Sequence, residues 1–334
     1  MSDIALLERW YRRHSRPLPW RLNHDPYRIW ISEVMLQQTQ ATAVIPYYER
    51  FLTAFPSVSA LALAEQSSVL GLWAGLGYYS RARNLRTAAI FVMEKWDGRF
   101  PTDRKQMLEI PGVGPYTAGA ILSIAFDLAV PIVDGNVERV FSRFFGIRHP
   151  IDSPKVQKKL WTLAEDWVHK AKSPRNLNQA LMELGALVCR KSAPKCRLCP
   201  ISENCFARKR QIQHKLPIRK RGPSVKRLRW TTFVIVHRGK YLVRQNCRGE
   251  WWKDLWDFPR IEAAPSQLPK FAKDPIPLSK QKHTVTHHRI EVTPWLVPVR
   301  KRPPGKLWAG RWVSHVELRR LPMSSLARKI LTNL

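Results

Sequence analysis

The sequence predicts a multidomain fold, an all-α domain followed by a smaller α+β domain. Three observations carry this. Apolar residues recur at helical spacing from about residue 3 to 188, the texture changes to β-rich runs at Trp230, and 334 residues suit two domains better than one.

In the first half, ISEVMLQQTQATAVIPYYERFLTAF and SSVLGLWAGLGYYSRARNLRTAAIFVMEKW read as amphipathic helices. Breaks fall at Phe55-Pro56, Asp97-Gly98 and Ile110-Pro111-Gly112, where Pro and Gly interrupt the pattern. A cysteine cluster at 189–205 closes this domain, 1–205. The stretch RKRQIQHKLPIRKRGPSVKRLR is too basic and Pro-punctuated for a core element, so 206–229 reads as a linker. In the second domain, 230–334, TTFVIVHRGKYLVRQ presents two strand-like runs around an Arg-Gly turn, a hairpin signature. HRIEVTPWLVPV and LWAGRWVSH also favour strands, and SSLARKILTNL suits a closing helix.

Lys and Arg number 57 against 25 Asp and Glu, a formal net charge of +32. Such an excess repels itself in the compact state and points to a polyanionic partner, nucleic acid above all, because each neutralised phosphate releases counterions. An anionic membrane surface fits less well, since no basic amphipathic segment stands apart from the globular pattern. The N-terminus MSDIALLERWYRRHSRPLPW has no signal-like apolar core, and no apolar run is long enough to span a bilayer. A soluble cytoplasmic protein with no membrane partner is expected.

The strongest local signal is Leu108-Glu109-Ile110-Pro111-Gly112-Val113-Gly114-Pro115-Tyr116-Thr117-Ala118 (108–118). A helix ends, a Gly-x-Gly turn follows, and another helix begins. Gly112 and Gly114 allow positive φ and carry no Cβ, so backbone amides can approach an anion, and the helix start adds partial positive charge. This is the physics of a helix-hairpin-helix phosphate grip, although an ordinary interhelical turn would look similar. Further on, Ile132-Val133-Asp134-Gly135-Asn136 precedes VERVFSRFF, where Asp134 is placed to cap the helix. A carboxylate fixed there can also stabilise a cation developing on a sugar.

Cys189, Cys196, Cys199 and Cys205 are separated by six, two and five residues. Four thiolates can hold zinc or a [4Fe–4S] cluster. Zinc modules usually present two tight Cys-x-x-Cys pairs and this set has one, so spacing favours iron–sulfur, while ligand softness does not separate the two. Cys247 stands apart.

The Gly-hairpin, the Asp of VDGN and C-x6-C-x2-C-x5-C, in this order, resemble the helix-hairpin-helix glycosylase superfamily of endonuclease III. The run Ser32-Glu33-Val34-Met35-Leu36-Gln37-Gln38-Thr39-Gln40, with Leu72-Trp73-Ala74-Gly75-Leu76-Gly77-Tyr78-Tyr79-Ser80-Arg81-Ala82-Arg83, narrows the resemblance to MutY-type adenine glycosylases. It covers nearly the whole chain, more loosely beyond residue 205, where the domain is similar to a MutT-like fold. It implies a monomeric base-excision-repair enzyme on duplex DNA with adenine opposite 8-oxoguanine or guanine, and a [4Fe–4S] cluster on the four cysteines. Glu33 would be the acid that protonates the flipped adenine. On the helix, Trp30 and Gln37 share its face, and an indole beside a carboxyl favours the protonated form. Asp134 would stabilise the sugar cation, with Tyr116 and Asn136 orienting the site. Tyr78 would enter the base stack, Gln37 and Gln38 would contact bases, Arg81 would bind DNA, and Arg190, Lys195 and Arg197 would meet phosphates.

Tyr116 stands where strand-cleaving relatives carry a nucleophilic lysine. A phenol forms no Schiff base, so a monofunctional enzyme is implied; Glu138, where some members have lysine, agrees. The second domain shows no Nudix pattern of Gly followed by clustered Arg and Glu. Where the family has Phe-Ser-His against the oxidised guanine, this chain has Val285-Thr286-His287. Thr286 and His287 keep the polar groups and the aromatic is gone, which loosens the expected preference for 8-oxoguanine. His283, His287 and His288 are expected at the surface or facing DNA. Two rivals are a bifunctional endonuclease III-like enzyme acting on oxidised pyrimidines and a DNA-binding iron–sulfur protein without catalysis. Tyr116 argues against the first, and the intact Glu33 and Asp134 against the second.

Overall fold

The structure is a computed structural model that describes residues 1–334 apart from 221, 223, 248, 264–267 and 273. The chain divides into two compact units, one of 1–63 with 84–221 and one of 64–83 with 222–334.

The helices up to residue 209 are α1 (Asp3–His14), α2 (Pro26–Leu36), α3 (Ala41–Ala54), α4 (Val58–Leu63), α5 (Gln66–Trp73), α6 (Ser80–Trp96), α7 (Arg104–Glu109), α8 (Pro115–Ala120), α9 (Gly135–Phe144), α10 (Pro154–His169), α11 (Pro174–Leu187) and α12 (Phe206–Lys209). Many start where the side chain dictates. Ser2, Asp25, Asp103, Asp134, Ser153 and Ser173 each accept a backbone N–H of the helix they cap, worth ~1 kcal/mol apiece. The first unit's main core gathers Leu7 of α1, Val137 and Phe141 of α9, Leu160 and Trp167 of α10, and Leu181 and Leu184 of α11. A smaller cluster joins Ile29 of α2 to Ala120, Ile124 and Ile132. After α8 the chain continues as a π-helical stretch, Ile121–Ala125.

The two long helical runs of the sequence are each broken once. The chain leaves α2 at Gln37 (ψ 113°), and Gln38 takes φ 59° before α3 begins. Between α5 and α6, Gly75, Gly77 and Tyr78 all have positive φ, of 105°, 78° and 49°. Apolar periodicity continues across both breaks, which is why the spacing alone ran through them.

The second unit holds β1 (Lys226–His237), β2 (Lys240–Gln245), β3 (Trp256–Asp257), β4 (Arg260–Ile261), β5 (Ile276–Pro277), β6 (Gln281–Val285), β7 (His288–Pro298) and β8 (Arg311–Val313), then α13 (His315–Arg320) and α14 (Ser325–Leu331). The strands lie in the order β3-β2-β1-β7-β5, with β4 on β1, β6 on β7 and β8 on β2. The central pair β1–β7 is parallel, with Arg227 opposite Arg289 and Phe233 opposite Trp295. Arg238 and Gly239 form the β1–β2 turn with φ of 47° and 72°, the two left-handed residues that match the twist of a tight hairpin. Both faces of the sheet are apolar along its middle: Trp230, Val234, Ile290 and Val292 pack with α13 and α14, while Phe233, Ile235 and Val297 face the other way.

The expected linker 206–229 shrinks from both ends. Residues 206–209 are α12, Leu216 is buried, and Ile151 N–H donates to Ile218 O at 2.9 Å. β1 opens at Lys226 because its backbone finds a partner in β7. Residues 64–83, expected within the first domain, group with the second unit. There Arg83 Nη1 donates to Lys253 O at 3.0 Å and its Nε lies 3.7 Å from Asp254.

Candidate active site

In the first unit, a cavity of about 510 Å³ is lined by Glu33 of α2, Tyr116 of α8, Asp134 and Asn136 at the start of α9, and Gln179, Met182 and Glu183 of α11. That volume lies in the range of small-molecule pockets.

Glu33 is 5% exposed. Burial pushes its carboxyl up to about 7, with the nearby Asp134 adding to the rise. Opposing this, the Tyr116 hydroxyl donates to Glu33 Oε2, and the Arg21 guanidinium also favours the anion. The Tyr116 hydroxyl itself is held well above its ordinary range by burial and by the two carboxyls.

Asp134 caps α9 through Oδ1, which accepts the N–H groups of Asn136 and Val137 at 2.9 and 2.8 Å. Its Oδ2 accepts the Asn136 side-chain amide at 2.7 Å. Burial still raises its carboxyl above the usual range, since desolvation outweighs these bonds. Asn136 is fixed in turn by Arg139, whose Nη2 donates to Asn136 Oδ1 at 2.8 Å and to Gly185 O at 2.7 Å. Gly185 is obligatory, because a Cβ there would stand 2.5 Å from Asn136 Cβ.

Sequence reasoning missed one wall of the cavity. Glu183 accepts Arg16 Nε at 2.7 Å, Arg16 Nη2 at 2.8 Å and Arg21 Nη2 at 2.9 Å. Burial works against its charge, yet these bonds hold its carboxyl down to about 2. Residues so far apart in the chain carry no motif, and the only available signal was a lone Glu on the apolar-rich helix MELGAL.

The hairpin between α7 and α8 departs from expectation at one of its two glycines. Gly112 has φ 79° and a Cβ there would sit 3.1 Å from Asn84 Cβ, so both backbone and packing require glycine. Gly114 has φ −94° and open space around it; it leaves the start of α8 without a side-chain cap and without steric cover. Gln37, expected on the helical face of Glu33, instead ends α2, and its amide lies 3.4 Å from Thr117 Oγ1. Gln38 is exposed.

Cys189, Cys196, Cys199 and Cys205 line one cavity of about 30 Å³ with Arg143, Ser202 and Arg208. None of the four is in a disulfide. Burial raises Cys199 to about 12, and its three partners add to the rise, so the sulfurs are electrostatic neighbours. Arg143 Nη1 lies 3.4 Å from Cys189 Sγ. Among the described residues no three His, Cys, Asp or Glu meet the geometry for gripping a single ion. Four sulfurs on one cavity can hold a metal ion or a cluster, and Arg143 would balance the charge of their thiolates. Arg190, Lys195 and Arg197 are exposed on the same loop.

In the second unit, a cavity of about 370 Å³ is lined by Tyr78, Ser80, Arg83, Trp251, Trp252, His283 and Thr286, among others. Tyr78 is 41% exposed, and the Arg81 guanidinium lies 5.5 Å from its ring centre. Arg81, expected on DNA, is buried: its Nη2 donates to Gly77 O at 3.1 Å and its guanidinium covers the Trp73 ring. It braces the loop that presents Tyr78. Thr286 (φ 51°) and His287 form the turn between β6 and β7. Of the other histidines, His288 packs its ring on Trp251 at 5.1 Å and His283 on Trp252 at 5.7 Å. These two belong to an aromatic cluster rather than to the open surface, since tryptophans distant in sequence cover them.

A helical unit with a hairpin turn, a buried carboxyl beside a capping carboxyl, and a cavity between them defines a helix-hairpin-helix base-excision repair protein. Residues 31–166 match the HhH-GPD superfamily base excision DNA repair protein, and 231–333 match a NUDIX domain. The chain is 33% identical to the adenine DNA glycosylase of Buchnera aphidicola (Schizaphis graminum) over 87% of this chain and 86% of that protein. Against the adenine DNA glycosylase of Homo sapiens it is 45% identical, over 62% of this chain and 39% of the other. The chain belongs to the adenine DNA glycosylase family. Among solved structures, a thermostable thymine-DNA glycosylase matches 62% of this chain and 95% of its own, at 30% identity and a TM-score of 0.56. An endonuclease III in a non-covalent DNA complex shares the fold, at 21% identity over 64% of this chain and 99% of its own, with a TM-score of 0.51. No helix among the described residues is long and apolar enough to cross a membrane.

Proposed function

We propose that this protein hydrolyses the N-glycosidic bond of adenine in duplex DNA, where adenine faces 8-oxoguanine or guanine. The observation that carries the reading is Glu33: a buried carboxyl whose pKa is pushed up to about 7 beside a cavity of about 510 Å³, ample for a flipped base. An adenine flipped into that cavity becomes a better leaving group when its ring nitrogen is protonated, and a carboxyl half-protonated near neutrality is suited to donate. As the bond to the sugar lengthens, positive charge develops on the sugar ring. Asp134, aligned by two backbone amides and the Asn136 amide, supplies the negative charge that stabilises it. Water then adds to the sugar carbon.

Tyr116 positions Glu33 through its hydroxyl and offers no amine to the sugar, so base release without strand cleavage is the expected outcome. Tyr78 on its braced loop is the residue for the base stack, and Thr286 and His287 at the β6–β7 turn are the groups for the opposite base. Gly112, Gly114, Gln37 and Gln38 are the remaining DNA-facing positions. Cys189, Cys196, Cys199 and Cys205 would hold a [4Fe–4S] cluster, which when bound orders the loop bearing Arg190, Lys195 and Arg197 for phosphates. We further propose that the protein acts as a monomer.

The test is an excision assay on duplexes pairing adenine with 8-oxoguanine, guanine or cytosine. Adenine released from the first two without strand breaks supports the reading; a covalent adduct trapped in high yield by borohydride contradicts the monofunctional part.

A further inference from the structure

In the second unit, the connection between β2 and β3 holds two residues in backbone conformations that most side chains avoid. Trp252 has φ 55° and Asp254 has φ 66°. A left-handed backbone is unfavourable at a non-glycine residue, most of all at a bulky one, and it persists only where the surroundings over-determine it. Here they do. The buried Asn246 donates its N–H to Leu255 O at 2.9 Å and accepts the Asp254 N–H at 2.8 Å. Its side-chain amide donates to Trp252 O at 3.4 Å, and the Gln245 amide donates to Asp254 O at 3.1 Å. The Trp252 ring packs on Trp230 at 5.8 Å and on His283 at 5.7 Å, with the Arg260 guanidinium 5.4 Å from its centre.

Both strained residues flank one contact. Lys253, between them, offers its carbonyl to Arg83 Nη1 at 3.0 Å, and Asp254 sets its carboxylate 3.7 Å from Arg83 Nε. Arg83 lies in the first turn of α6, where its own N–H donates to Tyr79 O at 3.2 Å. The loop before that turn is strained as well, with positive φ at Gly75, Gly77 and Tyr78. It is braced on its other side by Trp73 Nε1 and Arg81 Nη2, which donate to Gly77 O at 3.0 and 3.1 Å. Tyr78 and the Trp251–Lys253 segment line the same cavity of about 370 Å³. A turn that only joined β2 to β3 would carry glycine or asparagine at position 252, where tryptophan is among the worst fits.

We propose that the β2–β3 connection is the positioning element for Tyr78. The Lys253 carbonyl and the Asp254 carboxylate grip Arg83, and through it they fix the start of α6 and the loop that presents the Tyr78 ring. Asp254 is a positioning residue and touches no reacting group. The entry of Tyr78 into the base stack rests on the functional reading above, whereas the grip on the 75–79 loop is tested without DNA.

The test starts from Asp254→Gly in the full-length protein. Glycine removes the carboxylate and accommodates φ 66°, so Tm is expected to hold or rise while the grip is lost. Without DNA, hydrogen exchange at residues 75–80 is expected to run about 3- to 5-fold faster, the effect of one partly screened ion pair. Arg83→Ala, which also drops the Lys253 bond, is expected to speed it by about 10-fold. Adding Asp254→Gly to Arg83→Ala is expected to change nothing further. Asp254→Asn keeps an acceptor and tolerates the left-handed backbone, so most of the protection returns. The second readout is a duplex with 2-aminopurine next to the base opposite adenine, whose fluorescence rises when it unstacks. Asp254→Gly is expected to lower that rise by about 2-fold, as the competent loop becomes less populated, and to add no loss to Tyr78→Ala. Equal exchange at 75–80 in wild type and Asp254→Gly overturns the proposal, and so does an Asp254→Gly effect that persists in full beside Arg83→Ala. Exchange that responds as stated, with no 2-aminopurine rise in wild type, sinks the stacking role of Tyr78 and upholds the grip.

Discussion

The Tyr116 hydroxyl donates its hydrogen bond to Glu33 Oε2 inside the cavity of the helical unit, coupling the hairpin helix to the buried carboxyl of α2. The bond favours the carboxylate, burial favours the acid, and burial wins, leaving Glu33 near 7. The balance between these two effects sets the first expectations.

The protonated form of Glu33 is the donor. The single-turnover excision rate is therefore expected to fall above about pH 7, approaching tenfold per pH unit, and to fall again on the acid side as Asp134, whose carboxyl burial raises, takes up a proton. Tyr116→Phe removes the bond that favours the anion, so the alkaline limb moves to higher pH. A pH–rate profile of both proteins checks this. An unmoved limb would separate Tyr116 from the titration of Glu33.

Stability carries the same sign. Between the ordinary 4.5 and about 7 the folded protein keeps a proton on Glu33 that the unfolded chain has lost, so stability falls as pH rises through that window. The loss is on the order of 3 kcal/mol above pH 7. Glu33→Gln is accordingly expected to raise Tm at pH 8 relative to wild type and to have little effect at pH 4.5. Denaturation at the two pH values measures the difference.

Glu183 behaves oppositely. Its carboxyl is held at about 2 by Arg16 and Arg21, so its stabilisation is present above pH 4.5 and is lost as pH falls towards 2. Glu183→Gln strands two guanidiniums beside the cavity and is expected to cost roughly 3 kcal/mol. It also leaves Arg21 unneutralised near Glu33, which moves the alkaline limb of the rate profile down.

Gly112→Ala must place a side chain at φ 79° against Asn84. A cost of about 1–2 kcal/mol is expected from the left-handed backbone, together with weaker duplex binding because the hairpin backbone shifts. Gly114→Ala, with open space and ordinary φ, is expected to fold normally. Paired melting and binding curves distinguish the two.

What the sequence made legible depended on how local each cause is. The Arg238-Gly239 hairpin and the Asp134 cap are written within a few residues, and both are present as read. The family was also legible, because Glu33, the Gly-hairpin and VDGN are motifs with fixed neighbours. The Arg16–Glu183 pair spans 167 positions, and no local pattern announces a contact made by packing α1 and its following loop on α11. Arg81 shows the converse. Expected to bind DNA from its place in the motif, it is buried, with Nη2 on Gly77 O and its guanidinium over Trp73, contacts set by packing. His283 and His288, expected at the surface or facing DNA, are half-buried against tryptophans that lie some thirty residues earlier in the chain.

Glycosidic-bond hydrolysis on a duplex pairing adenine with 8-oxoguanine, in wild type and Glu33→Gln side by side, tests the central claim most directly. Wild type is expected to release free adenine, and the Gln protein to bind the duplex while losing at least a hundredfold in single-turnover rate, the low end of a general-acid contribution of about 10²–10⁴. Equal rates in the two proteins, or no adenine from wild type, would contradict it.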